Sequence, residues 1–186
     1  DHGADINGAT RVDQRTPLMF ASVINKPEVV KFILSIDCVD PSLTTKFDDT
    51  ALILASAPGF VENVKLLIET GKVDINSQNS NKATALHNAV INNKIDLIKY
   101  LIQQPEIDLQ IQDSGGFTPL FRAMFLQHIE VMKILRDHAK NIEDSIICGK
   151  QSLIHLATTM DLYTKVSQLE MRVIMAGLPK GHRPLQ

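Results

Sequence analysis

Thr84-Ala85-Leu86-His87-Asn88-Ala89 stands near the middle of the chain, and versions of it open at positions 16, 50, 118 and 152 as well, always 34 residues apart. They read Thr16-Pro17-Leu18-Met19-Phe20-Ala21, Thr50-Ala51-Leu52-Ile53-Leu54-Ala55, Thr118-Pro119-Leu120-Phe121-Arg122-Ala123 and, more loosely, Ser152-Leu153-Ile154-His155-Leu156-Ala157. A fixed period of about 20 to 50 residues marks a stacked array, in which a unit unable to bury its own apolar face is repeated until neighbours bury it. Function then becomes first a question about a surface, not about a pocket.

The rest of each period keeps register. After a short break come Val29-Val30-Lys31-Phe32-Ile33-Leu34, Asn63-Val64-Lys65-Leu66-Leu67-Ile68, Leu97-Ile98-Lys99-Tyr100-Leu101-Ile102 and Val131-Met132-Lys133-Ile134-Leu135. Their apolar residues recur at helical i, i+3, i+4 spacing, with Lys on the outer face. With its Thr-Pro-Leu-x-x-Ala phrase in this frame, the chain resembles the ankyrin repeat family over roughly residues 1 to 170. The resemblance implies an all-α solenoid of about five helix-turn-helix units, each followed by a loop projecting as a β-hairpin tip. The array would occupy residues 1–176, with a partial first unit at 1–15, repeats from 16, 50, 84 and 118, and a degenerate one from 152; 177–186 reads as a tail or linker.

Local chemistry supports the helix starts. Pro17, Pro119 and Pro27 sit at first-turn positions, where the missing N–H would be unpaired in any case. Thr16, Thr50, Thr84, Thr118 and Ser152 supply the capping hydroxyl. Helices of about nine residues are too short to persist alone, so stacking must hold them. The period exceeds the family's usual 33 by one residue, placed after the second helix, where Asp37-Cys38-Val39-Asp40, Gly71-Lys72-Val73-Asp74 and Pro105-Glu106-Ile107-Asp108 fall. Only Gly71 offers the left-handed helix stop there. Asp1-His2-Gly3-Ala4-Asp5-Ile6-Asn7 matches the close of a repeat whose helices are absent, so the chain reads as a piece of a longer ankyrin-bearing protein.

Composition narrows the function classes. With 186 residues, 44% apolar and 22% charged, the chain can build a sizeable core. A net charge of −2 gives no electrostatic footprint for nucleic acid, and no apolar run is long enough to insert in a membrane. The two cysteines, Cys38 and Cys148, lie 110 residues apart. That argues against a disulfide framework and for a reducing compartment, cytoplasmic or alternatively nuclear.

No catalytic, metal or cofactor set emerges, and the expectation is a protein that is not an enzyme. The six His are scattered, with no metal-ligand spacing, and there is no Gly-rich phosphate loop. His87 and His155 share one place in the repeated phrase, where an active site would need different groups converging. In the ankyrin family that imidazole bonds neighbouring backbone.

The repeat frame instead implies a binding surface. If Leu and Ala of the phrase face the stack, its fifth, eighth and ninth places project together toward the concave side. Candidate partner-binding residues there are Phe20, Val23, Ile24, Leu54, Asn88, Ile91, Asn92, Arg122, Phe125 and Leu126, many of them apolar. Phe47 and Phe117 at the loop tips are a second strip, unless they fold back on a neighbour. The expected role is binding a protein or peptide, without nucleic acid, through groove and tips. Two alternatives stay open: a targeting or autoinhibitory module of a larger enzyme or channel, and a purely structural spacer.

Overall fold

At each phrase the threonine ends an extended stretch and starts a helix. The side chains of Thr16, Thr50, Thr84 and Thr118 accept the N–H of Met19, Ile53, His87 and Phe121, satisfying an amide that the helix leaves unpaired. The computed structural model describes residues 5–138, and in them these caps open the first helix of four successive pairs. The pairs are α1 (Pro17–Ser22) with α2 (Pro27–Leu34), α3 (Ala51–Ser56) with α4 (Val61–Glu69), α5 (Ala85–Ile91) with α6 (Ile95–Leu101), and α7 (Pro119–Phe125) with α8 (Ile129–His138). Helices of six to ten residues bracket the expected length. The repeat expected from 152 and the tail at 177–186 lie outside the described residues.

First helices pack in the order α1–α3–α5–α7 and second helices in the order α2–α4–α6–α8. The core consists of rows with one residue per repeat. Leu18, Leu52, Leu86 and Leu120 make one row, Ala21, Ala55, Ala89 and Ala123 another. From the second helices come Val30, Val64, Ile98 and Met132, then Ile33, Leu67, Leu101 and Leu135. Alanine in every first helix lets neighbouring backbones approach, and each fully buried leucine contributes roughly 1.5–3 kcal/mol. The second helices begin without a side-chain cap at Lys26, Phe60 and Lys94, so their stability rests on this packing.

The loops depart from the expected β-hairpins. Among the described residues there is no strand, only one isolated antiparallel bridge, Thr44 with Thr50. The loops before α3, α5 and α7 are instead tight turns closed on themselves by Thr45 N–H to the Asp49 carbonyl, Asn79 to Ala83 and Asp113 to Phe117. An oxygen-bearing side chain fills the turn: Thr45 Oγ1, Asn79 Oδ1 and Asp113 Oδ1 each accept two backbone N–H groups. With amides satisfied from inside the turn, no strand ladder is needed. Successive tips are tied by single backbone bonds, Lys46 N–H to Asp13, Ser80 to Phe47 and Ser114 to Asn81.

A second brace runs along the helix-to-loop corners. Asp5, Asp40, Asp74 and Asp108 each accept the N–H two residues on. Asn7 then donates to the Cys38 carbonyl at 2.7 Å and accepts from Asp40 N–H at 2.9 Å. Asn76 makes the same clasp with Glu106 and Asp108, at 2.7 and 3.0 Å. Gly71 takes the left-handed conformation expected of it, with φ +64°.

Candidate interaction surface

The first helices show solvent one stripe apiece, which follows from their core rows being at the third and sixth phrase positions. Val23, Ala57, Ile91 and Phe125 hold the same place in the four repeats, and none is buried. This is an apolar row running along the array at the ends of α1, α3, α5 and α7. Ile91 is 41% exposed although α5 is packed between α3 and α7. Beside it Asn92 is exposed and donates to the Asn88 carbonyl at 2.8 Å. Leu126 is half-buried, and Ile24 is exposed at the first repeat.

The fifth place of the phrase behaves differently. Asn88 Nδ2 reaches back to the Ile53 carbonyl of the preceding repeat at 3.4 Å, so this place looks along the stack as well as outward. Leu54 and Arg122 are half-buried there. Phe20, in the first repeat, is exposed with the Arg15 guanidinium 5.9 Å from its ring centre. Arg122 is turned toward its own loop: its Nε and Nη2 donate to Oδ2 of the buried Asp113. That pair shields two opposite charges from water at once, and little of the guanidinium remains for a partner.

The two tip phenylalanines part company. Phe117 folds back, its ring stacked on Phe121 at 5.2 Å, 5.5 Å from Phe125, with Arg122 4.4 Å above it. Phe125 is thereby half-covered by a side chain of its own repeat. Phe47 stays 55% exposed, touched by the Lys46 ammonium at 5.1 Å. Val12 on the adjoining tip is also exposed; its apolar character gives a signal that the sequence reading passed over.

His87 is buried and structural in its geometry. Its Nδ1 accepts the Thr84 N–H at 3.3 Å, which leaves the proton on Nε2 to donate to the Phe117 carbonyl at 2.9 Å. Burial pushes its pKa below the ordinary histidine value, partly opposed by the Phe117 bond, so the ring is held neutral. His155 and Cys148 lie outside the described residues. Sequence reasoning missed Asn63, a polar residue in an otherwise apolar row of Val29, Leu97 and Val131. Its buried amide donates to the Ser22 and Ile24 carbonyls at 3.2 and 2.7 Å, tying α4 to the end of α1.

Among the described residues no three His, Cys, Asp or Glu side chains gather as a metal site, and no helix is long and apolar enough to cross a membrane. A family model described as ankyrin repeats (3 copies) matches residues 2–79 and 59–146. No curated protein matches the chain.

Proposed function

Given that the chain belongs to the ankyrin repeat family, whose domains are generally protein–protein interaction modules and typically non-catalytic, we propose that it binds a protein or peptide along the exposed row of its first helices. The observation that carries this reading is Ile91. It lies in a repeat flanked on both sides, yet a large apolar side chain faces solvent there, in line with Val23, Ala57 and Phe125. A buried joint would cover it, and a merely soluble helix would carry a polar residue at that place. Asn92 beside it offers hydrogen bonds at the rim.

Rigidity fits the role. The row sits on helices braced by threonine caps, tip-to-tip bonds and asparagine clasps, so little ordering entropy is lost when an extended segment docks. Phe47 and Val12, exposed on tips joined by the Lys46–Asp13 bond, form a second contact point at one end. The exposed thiol of Cys38 accords with a reducing, cytoplasmic setting.

Affinity capture from the source cell's lysate tests the reading, comparing the chain with Ile91→Asp. The substitution should cut recovery of the captured partner by at least about tenfold, with a melting temperature close to that of the parent. Undiminished recovery would sink the groove and shift attention to Phe47 and Val12.

A further inference from the structure

Asn7 is followed by Gly8, and no other asparagine of the chain has a glycine after it. The side-chain amide of asparagine is open to attack by the backbone nitrogen of the next residue, which closes a five-membered ring. A glycine there puts no side chain in the way and lets the backbone turn into the attack. In the fold both reacting groups are held elsewhere. Asn7 Nδ2 donates to the Cys38 carbonyl at 2.7 Å and Oδ1 accepts the Asp40 N–H at 2.9 Å, so the amide is fixed across the joint between repeats. The Gly8 N–H, which would have to give up its proton, donates to the Asp5 carbonyl at 2.9 Å. Asn76 makes the same clasp onto Glu106 and Asp108, but Ser77 follows it.

We infer that Asn7 is a site of spontaneous deamidation, latched by its clasp onto Cys38 and Asp40, and that the reaction, once the clasp opens, removes the clasp permanently. Water is the only reagent required. The Gly8 nitrogen loses its proton to solvent and bonds to Asn7 Cγ, the Cγ–Nδ2 bond breaks, and Nδ2 leaves as ammonia. A water molecule then opens the ring, leaving aspartate or its isoaspartyl isomer in place of the asparagine. One water is taken up and one ammonia released, with no change of oxidation state. The product cannot rebuild the clasp. A carboxylate has no N–H to give the Cys38 carbonyl, and it adds a negative charge at a place already bracketed by Asp5 and Asp40. The isoaspartyl form also lengthens the backbone by one carbon inside the Asp5 turn. Asp5, Gly8, Cys38 and Asp40 are all exposed and Asn7 is half-buried, so the clasp opens by a local fluctuation that leaves the helix stack intact. The Asn76 clasp has the same latch on a slower ring closure, because the side chain of Ser77 hinders the attack.

The test is incubation of the chain at mildly alkaline pH, native and in urea, with peptide mapping by mass spectrometry to follow the amide-to-acid change at each asparagine. In urea Asn7 should convert several-fold faster than Asn76. In the native chain conversion at Asn7 should be measurable but at least about tenfold slower than in urea, the ratio being set by how seldom the clasp opens. Asn7→Asp, which reproduces one product, should speed hydrogen exchange of the Asp40 amide by at least about tenfold and leave exchange of the Asp108 amide, in the other clasp, unchanged. Equal native and unfolded rates at Asn7 would overturn the inference, since the clasp would then be no latch. No native conversion at all, conversion in urea no faster than at Asn76, or an Asp40 amide indifferent to Asn7→Asp would overturn it equally.

Discussion

Val29 in the first described repeat is more than a third exposed, while Val131, the same residue at the same place three repeats later, admits no solvent. Nothing in either helix accounts for the contrast. Both lie on amphipathic second helices, both sit beside the buried row of Val30 and Met132, and they differ only in whether a preceding helix pair is packed against them. In a stacked array the burial of a side chain is a property of its neighbour. Exposure at the end of the described stack and exposure in its middle therefore differ in kind: no preceding repeat is packed beside Phe32 among the described residues, whereas Ile91 is exposed in a repeat flanked on both sides.

The largest expected effect lies where neighbours press from both sides. Leu86→Ala, in the third repeat, should destabilise by roughly 2–5 kcal/mol, and Leu18→Ala by less, because α1 has a packed neighbour on one side alone. Urea denaturation of both variants measures the difference. Equal losses would show that end and middle repeats unfold as one indivisible unit, and would erase the contrast.

The same substitution at equivalent places is a sharper probe. Val131→Ala removes two buried methyl groups and should cost about 2 kcal/mol once the cavity is included; Val29→Ala should cost under about 1 kcal/mol in this chain. Thermal and urea melts of the pair decide it. A large loss at Val29 would mean that the face is already covered.

How much of this was legible beforehand can be traced residue by residue. The helix starts were, since threonine and N1 proline act locally on the next turn. The core rows were too, because four copies of one spacing cancel the ambiguity of any single copy. The loop turns were not, although a signal existed: Thr45, Asn79 and Asp113 share a position and an oxygen acceptor while differing in residue type. Asn63 was equally readable in hindsight, as the lone polar residue in a row of buried apolar ones. That Phe20 projects was readable from its place in the phrase, but which of Phe47 and Phe117 folds back was not, for that depends on the packing of Phe117 against Phe121, Phe125 and Arg122, which exists only in three dimensions.

His87 separates middle from end by charge. Met19 holds the equivalent place in the first repeat, where its sulfur accepts the Thr16 N–H at 3.4 Å, so His87→Met keeps the local cap and loses the bond to the Phe117 carbonyl. The Phe117 carbonyl keeps the Asp113 N–H, so losing the imidazole bond should cost about 0.5–1.5 kcal/mol. The pH dependence has a definite sign. Burial holds the native pKa below the ordinary 6.5, so below that pH the unfolded chain binds a proton that the native state refuses. His87 therefore contributes a stability that is full above about pH 6.5 and falls as pH drops toward the depressed native value. The slope is at most about 1.4 kcal/mol per pH unit. Denaturation midpoints of parent and His87→Met between pH 7.5 and 5.5 should converge on acidification, and parallel curves would remove histidine burial as their cause.

The smallest effect tests what end and middle repeats hold in common. Gln14, Asp48, Lys82 and Gly116 occupy one place in four successive loops, and all four have positive φ, between +54° and +76°. The fourth loop alone uses glycine, the residue without a Cβ penalty in that region. The backbone is thus dictated by the turn, with its amides gathered on Thr45, Asn79 and Asp113, and the non-glycine residues are carried there at some strain. Lys82→Gly should then stabilise the chain by about 0.5–1 kcal/mol, the relief of the left-handed conformation being partly offset by the extra freedom of the unfolded glycine. Gly116→Ala should lose a similar amount. Lys82 is exposed at a loop tip, so packing does not confuse the comparison. A destabilised Lys82→Gly, measured by the same melts, would mean that the lysine contributes contacts outweighing its backbone strain, and that the tips are individually tailored.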